Sequence, residues 1–425
     1  MITAMIVLFT VLVLVSAPLA VALGLAISVG LLLFSPFPVA IMFQRMVTGI
    51  DNFVLVAIPL FVLAGNLMNA GGITDRIFHF VRSAIGHVPG GLAHANVGTS
   101  VLFAGMSGSA VADAAGIGAV EIKAMRDAGY KTEFSAAVTA ASSVIGPIIP
   151  PSIPLILYGA IAEVSVGRLF AAGLVPGLLL AVTLSVMIAF MSRTHGFPRD
   201  PRSSPLQIAR SFLRASFALL TPAVILVGLI GGVFTPTEAG AVAVAYALFL
   251  SLVVYRALRL RDLPKVLVET MVTTAIVTFI ISNVSAFSWA LVVTRSGDAF
   301  VEAIRSVSDD PAIVLLLING LLLILGALIE SGAVLILMTP LLVPLALSMG
   351  VDPVHLGVVM VLNLMIGCAT PPVGMSLFVT AHVASIPVER MMRAILPFLV
   401  PLIITLLAVT FWPSLTLFLP SLLFD

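Results

Sequence analysis

One short pattern occurs twice in this chain, as Gly146-Pro147-Ile148-Ile149-Pro150-Pro151 and as Gly367-Cys368-Ala369-Thr370-Pro371-Pro372, each time inside a long apolar stretch. Both copies read G-x-x-x-P-P. Proline removes a backbone donor and crowds the preceding turn, while glycine tolerates almost any backbone angle, so each copy predicts a helix unwound near its middle. Unwound backbone at membrane depth survives only where protein or a water-filled cavity satisfies it. Two such breaks in corresponding positions of two halves point to the midplane binding site of a secondary transporter.

The breaks lie in a membrane chain because the composition leaves no other class open. Sixty per cent of the 425 residues are hydrophobic and 9% charged, with a mean hydropathy of +1.23, too little polar surface to cover a soluble fold. The fold class is an all-α polytopic membrane protein. Charge-free runs such as 215–233 and 394–411 approach the ~20 residues of a spanning helix, whereas a β-barrel would show ten-residue alternating segments. The single cysteine, Cys368, excludes an intrachain disulfide or a multi-cysteine metal site and reads as a small packing residue beside the break. A net charge of +1, without a basic tail or a phosphate-cradling loop, gives no sign of nucleic acid as a partner. The first apolar segment lacks the basic start of a cleaved signal peptide and reads as a spanning helix.

Charge sets an expected topology through the positive-inside rule. Helices at 3–16, 19–35 and 53–70 lead inward to Arg76 and Arg82. A hairpin at 91–122 enters and leaves on that same side, with Lys123, Arg126 and Lys131 in its exit loop. The broken helix 133–163 goes out, 167–192 comes in, and a central linker holds Arg193, Arg199, Arg202, Arg210 and Arg214. Helices 215–233, 238–255 and 267–291 follow. A second hairpin at 311–349 enters from outside, the broken helix 353–386 runs inward to Arg390 and Arg393, and 394–415 finishes outside. Of the 20 lysines and arginines, only Arg45, Arg168, Arg295 and Arg305 then lie outside.

Four landmarks recur at nearly constant offset: Asp75 with Asp298, Pro89 with Pro311, Ser107 with Ser331 and Pro150 with Pro371. They define one repeated unit of amphipathic arm, hairpin with a Ser-Gly tip, and broken helix. In the first arm Ile77, Val81, Ala84, Ile85 and Val88 share a face, as an interfacial or a packed helix requires. An odd number of crossings separates the units, so the second is inverted and the two tips meet near the bilayer centre.

The first tip, Gly105-Met106-Ser107-Gly108-Ser109-Ala110-Val111-Ala112-Asp113, places hydroxyls and a carboxylate in the membrane, where an ionisable group is costly and marks a functional site. A hard cation such as Na⁺ would find oxygens in Ser107, Ser109, Ser152 and carbonyls around Gly146 to Pro150. Ser331, Thr370 and carbonyls around Gly367 to Pro371 offer a second cage. Asp113 and Glu330, the tip carboxylates, read equally as ion ligands, proton carriers or buried hydrogen-bond partners. Gly108, Pro151, Pro371 and Pro372 join these two carboxylates as candidates for substrate contact or coupling. Asn66, Asn69, Asn283 and Asn363 read as helix-packing residues. Gly105-Met106-Ser107-Gly108 also matches the G-x-S-G of intramembrane serine proteases, but His94, His355 and His382 sit near helix ends, away from a serine needing a base.

The whole chain resembles the large membrane subunit of tripartite ATP-independent periplasmic (TRAP) transporters, the DctM or SiaM type. The resemblance rests on Ala57-Ile58-Pro59-Leu60-Phe61-Val62-Leu63-Ala64-Gly65, on Ser107-Gly108-Ser109-Ala110 with Asp113, on Pro150-Pro151-Ser152, on Phe234-Thr235-Pro236-Thr237-Glu238-Ala239, and on Gly367 through Thr370-Pro371-Pro372-Val373-Gly374. It implies a sodium-coupled elevator in the bacterial inner membrane, with Na⁺ held by Ser107, Ser109 and Pro150 to Ser152, and by Ser331, Gly332 and Thr370 to Gly374. It implies scaffold helices at 1–74, an interfacial arm at 75–89, and a first transport half at 90–165. More scaffold and a linker follow at 166–296, a second arm at 297–310, the second transport half at 311–387, and a scaffold helix at 388–425. It implies two partners, a small membrane subunit of the DctQ or SiaQ type and a periplasmic solute-binding protein of the DctP or SiaP type. The expected solute is an organic acid such as a C4-dicarboxylate or sialic acid, and no catalysis. A stand-alone carboxylate transporter of similar architecture is the alternative reading.

Overall fold

Long apolar segments interrupted by Pro, Gly and capping residues fold here into twenty-one α-helices, with no strand among the residues described by the computed structural model, 1–15 and 17–424. Helices α1 (Ile2–Leu14) and α2 (Leu19–Phe34) pair with each other. A short α3 (Ala40–Ile50) and α4 (Ala57–Ala70) follow, and then the arm α5 (Ile73–Ile85). The first hairpin is α6 (Gly91–Ser107), α7 (Ala110–Ala115) and α8 (Ile117–Asp127), and the first broken helix is α9 (Thr132–Ser143) with α10 (Ile153–Ala162). Next come α11 (Val166–His195), α12 (Pro205–Ile230), α13 (Pro236–Phe249) and α14 (Leu263–Val293). The second unit repeats the plan: arm α15 (Ser296–Arg305), hairpin α16 (Pro311–Leu328) and α17 (Ser331–Ser348), broken helix α18 (Pro353–Cys368) and α19 (Met375–Ala384). Helices α20 (Val388–Phe411) and α21 (Ser414–Phe424) close the chain. Eight helices are long and apolar enough to cross a membrane.

Three boundaries differ from the sequence expectation. Helix α3, amphipathic rather than uniformly apolar, packs along α14, and α21 turns back onto α11 and α18 beyond the expected last span. The central linker is shorter than expected, because α12 starts at Pro205 and carries Arg210 and Arg214 on its first turns. A capping box sets that start: Ser204 Oγ accepts from the Gln207 amide (3.2 Å), and Gln207 Oε1 accepts from the Ser204 amide (2.8 Å). Thr235 and Glu238 cap α13 in the same way, which gives the Thr-Pro-Thr-Glu segment a structural reason.

The two units are inverted. Between the first hairpin and the second lie five crossings, the first broken helix and α11 to α14, so each hairpin starts from the opposite side. Packing repeats with the units exchanged: α7 lies on α19 and α10 on α17, while α9 packs on α20 and α11 on α18. Each hairpin is pinned to its own broken helix by one buried asparagine. Asn96 Nδ2 donates to Thr139 Oγ1 (2.7 Å) while its Oδ1 accepts from Ser142 Oγ (2.6 Å); Asn363 Nδ2 donates to Asn319 Oδ1 (2.9 Å). The register is tighter than the sequence landmarks suggest, because α6 ends at Ser107 and α16 at Leu328, the same separation as Pro150 from Pro371. Glu330 therefore corresponds to Ser109, and Ser331 to Ala110 rather than Ser107. The backbone at Asp298 lies on α15, and its side chain falls outside the described residues.

The first arm's apolar stripe is packed, with Val81 and Ile85 against Gly98 of α6. The linker after α11 ties this arm to the first broken helix. Arg82 pairs with Asp200 (2.7 Å), and the Tyr130 hydroxyl donates to the Pro198 carbonyl (2.9 Å). Burial pushes the Tyr130 phenol up to about 12, so it remains a donor throughout the physiological range.

In the second unit α16 and α18 meet backbone to backbone, and a Cβ on Gly367 would stand 2.7 Å from the Gly326 carbonyl carbon. Gly367→Ala should therefore destabilise the purified protein by about 1–3 kcal/mol, the usual range for overpacking. Thermal unfolding in detergent reads this, and an unchanged midpoint would refute the close crossing.

Candidate functional site

The first tip and the first break form one buried cluster. Ser107 ends α6, Gly108 turns the chain in the left-handed region (φ 59°), and Ser109 caps α7 by accepting from the Ala112 amide (3.4 Å). The turn needs glycine for a second reason, since a Cβ there would lie 2.8 Å from the Pro151 carbonyl oxygen. Tip and break thus touch directly. The Ser107 hydroxyl donates to Asp113 Oδ1. Asp113 is 3% exposed, and its Oδ2 has no partner among the described residues. That oxygen lies over Gly146, where any Cβ would strike it.

The break is built from local bonds. Ile149 N donates to the Ile145 carbonyl (3.1 Å), while Ser152 caps α10 by accepting from the Leu155 amide (3.2 Å) and donates its own proton to the Pro147 carbonyl. The Pro150–Pro151 bond is cis, as is Pro371–Pro372. Ser107, Gly108, Asp113, Gly146 and Pro151 are therefore brought together. Pro150 and Ser152 lie in the same buried segment, and Ser109 stands at its edge. A buried carboxylate with one free oxygen, a hydroxyl beside it and an unwound backbone suit a cation.

The second cluster has the same outline with different polar pairing. Glu330 is the N-cap of α17, its carboxylate accepting from the Gly332 (2.8 Å) and Ala333 (2.7 Å) amides. Of the roles left open for it, the backbone partner is the one present. Ser331 Oγ donates to the Leu364 carbonyl (3.0 Å), Thr370 Oγ1 to the Ile366 carbonyl (2.7 Å), and the Gly374 amide to the Ala327 carbonyl (3.1 Å). Gly332, Gly367 and Pro371 lie within this set, whereas Pro372 is exposed. Cys368 faces Ser376 (3.3 Å) across the break. No carboxylate oxygen here matches the free one on Asp113.

The four asparagines pair within the helix framework. Asn66 donates to Thr270 (3.0 Å), Asn69 accepts from Thr74 (3.0 Å), Asn283 donates to the Phe279 carbonyl (2.8 Å), and Asn363 holds Asn319. Three glycines hold the first hairpin against its neighbours, a role the sequence reading did not assign to them. A Cβ on Gly65 of α4 would lie 3.3 Å from Met106 O, one on Gly105 would strike Pro222 of α12, and one on Gly116 would strike Asn69. A run of small residues is their only sequence signal. Glu121 on α8 escaped the sequence reading, because its neighbours Lys123 and Arg126 make that segment read as an exit loop.

A chain of helices in which two hairpin tips meet two broken helices, one unit inverted on the other, has the architecture of a secondary transporter. The family model described as "Tripartite ATP-independent periplasmic transporter, DctM component" matches residues 6–415. The chain belongs to this family, and like its members is a multi-pass inner-membrane protein. It is 49% identical over 379 residues to the sialic acid TRAP transporter large permease SiaM of Vibrio cholerae, covering 89% of each chain. With the C4-dicarboxylate TRAP transporter large permease DctM of Pseudomonas aeruginosa it shares 40% over 400 residues, 94% of each chain. Among solved structures, the Alcanivorax borkumensis YdaH transporter has the same fold, with a TM-score of 0.64 at 13% identity over 90% of each chain.

Gly108→Ala should reduce transport at least about tenfold, because the left-handed turn costs an alanine ~1–2 kcal/mol and the Pro151 carbonyl blocks the new methyl. Uptake by the reconstituted variant, with assembly checked by size exclusion, measures it. Wild-type rates would show that the tip does not seat on the break.

Proposed function

We propose that this chain is the large permease of a tripartite transporter that takes up an organic acid, coupled to sodium, by moving its hairpin units against a scaffold. The observation that carries the coupling is Asp113: a buried carboxylate whose second oxygen is unpartnered beside Gly146. An uncompensated charge at membrane depth is costly, and a bound cation removes that cost. Ser107 orients the carboxylate, and the break between Gly146 and Ser152 supplies carbonyls. At the second site the groups present are Ser331, Gly332 and Thr370 to Gly374, whose hydroxyls already donate to their own framework and keep lone pairs for a cation. The relatives' names, for sialic acid and C4-dicarboxylates, support an organic carboxylate as the solute. The family's own description as tripartite supports a small membrane subunit of the DctQ or SiaQ type and a periplasmic binding protein of the DctP or SiaP type.

The moving unit in this reading comprises both hairpins and both broken helices. Packing favours adding α11 and α20, which the sequence reading set in the scaffold. Asn319 of α16 donates to Thr410 of α20 (2.9 Å), Thr183 of α11 meets Thr405 of α20 (2.8 Å), and α9 lies along α20. The scaffold is then α1 to α4 with α12 to α14. A histidine base for Ser107, which the protease reading needs, is not found among the described residues: the Ser107 hydroxyl donates to Asp113, and His355 is bonded to Thr416 (2.8 Å).

Uptake of a labelled organic acid into proteoliposomes holding the chain with its small subunit tests the whole reading. Uptake should require both an inward sodium gradient and the binding protein; indifference to the binding protein would favour the stand-alone carrier. A sodium titration in the same system tests the site. Asp113→Asn should raise the sodium concentration for half-maximal uptake at least about tenfold, the equivalent of ~1.4 kcal/mol. Ser107→Ala should shift it less, and Thr370→Ala least, since the Thr370 proton is already bonded. An unaltered sodium curve for Asp113→Asn would sink the assignment.

A further inference from the structure

A second carboxylate in the first hairpin has no role in the sodium-coupled reading. Glu121 is 1% exposed, and its Oε1 has no hydrogen-bond partner among the described residues. It lies on the inner face of α8 with Ile117, Gly118, Ile122 and Met125, all buried. The other face of the same helix, with Ala119, Val120, Lys123, Ala124 and Asp127, lines a cavity of about 690 Å³. The cavity therefore lies one helix-width from a carboxylate oxygen that no described group satisfies.

Among the described residues no cation is placed to neutralise Glu121. Lys123 and Arg126 of its own helix are exposed, and no salt bridge among the described residues involves Glu121. Helix α5 contributes Asp75, His79 and Arg82, which line the cavity on the far face, and Arg76, which stacks on Tyr255. Helix α6 brings the half-buried His94, α9 brings Glu133 paired with Arg390 (3.5 Å), and α19 brings the exposed His382. Helix α7 brings Asp113, a second acid, and no base. Nor are hydroxyl donors offered by α9, which meets α8 where Gly118 faces Thr139, since Ser135 and Thr139 donate to carbonyls of their own helix (3.1 and 2.9 Å). A bare anion here would be buried with no described donor or cation beside it.

We propose that Glu121 is a proton-binding site of the first hairpin, protonated while α8 is seated on α9 and α19 and ionised when α8 alone swings off that seat, α6 staying pinned to α9, and water reaches it. The step is a plain dissociation: the carboxyl O–H breaks, the electron pair stays on oxygen, and the proton goes to water. Transport then requires one proton on Glu121 for each return of α8 to its seat, whatever ion occupies Asp113.

The test is uptake by the complete tripartite system in proteoliposomes at saturating sodium, with pH raised equally on both faces. The wild type should slow with a limiting slope approaching about tenfold per pH unit, the signature of a single required proton. Glu121→Gln, locked in a neutral form of similar shape, should lose that slope. Superimposable profiles for wild type and variant would overturn the proposal, as would a flat wild-type profile. Infrared spectroscopy of the purified complex gives a second readout that does not need an active Gln variant. The wild type should show a protonated-carboxyl C=O stretch at neutral pH that shifts in Glu121→Asp, and absence of such a shift refutes the site. The sodium titration of Asp113→Asn reads a different curve, so either assignment can fail alone.

Discussion

An amide or carbonyl left unpaired at membrane depth costs several kcal/mol, and this chain interrupts two spanning helices there. How the freed groups are paired governs the rest of the structure. The prolines are part of the answer. Pro147, Pro150 and Pro151 in one break, and Pro371 and Pro372 in the other, carry no N–H, so the donors most exposed by unwinding are absent from the outset. The donors that remain turn back locally or reach the hairpin: Thr370 N to the Gly367 carbonyl (2.9 Å), Gly374 N to the Ala327 carbonyl (3.1 Å). What is left over is an excess of carbonyl oxygen. A break relieved of donors and rich in acceptors is biased toward cations before any side chain is added.

Side chains then break the symmetry that the backbone keeps. Glu330 and Ser109 hold corresponding positions, yet Glu330 is held by two amides of its own helix while Ser109 caps α7 weakly. The charge of the first cluster comes instead from Asp113, a turn further on, whose counterpart is Val334 at the register of the helix ends. Three carboxylates in the hairpins thus have three environments: one satisfied by backbone, one bonded on a single oxygen, and one, Glu121, with an unpartnered oxygen and no cation beside it.

This is also where sequence reasoning reached its limit. The breaks, both hairpins, the inverted order and the gathering of Ser107, Gly108, Asp113, Gly146 and Pro151 were legible, because Pro and Gly act locally and the repeat spaces them. The short helices α3 and α21 were not, since neither is long enough to read as a span and both depend on packing against α14 or α11. The start of α12 was hidden by Arg210 and Arg214, although its Ser-x-x-Gln cap was present in the sequence. Glu121 stayed hidden for a related reason: α8 is amphipathic, and composition alone does not tell which side of such a helix faces a cavity and which faces protein.

The two kinds of contact made by the hairpins bear on how they could move. Within each unit, hairpin and broken helix are joined by buried asparagine hydrogen bonds, and a bond that is lost in an apolar interior is not replaced by water. Against α4 and α12, the first hairpin instead presents Gly105 and the Met106–Ser107 backbone to Gly65 and Pro222, surfaces that pack closely and carry few directional bonds. Displacing the first set would strand polar groups, whereas sliding along the second exchanges one close van der Waals contact for another. In the transport cycle proposed above, motion would meet least resistance along the α4 and α12 surface, with α6 carried on α9 and α16 on α18. Ser107, Asp113 and Gly146 lie together inside that unit, so a cation held there, on the proposed reading, would travel with it and keep its coordination through the stroke.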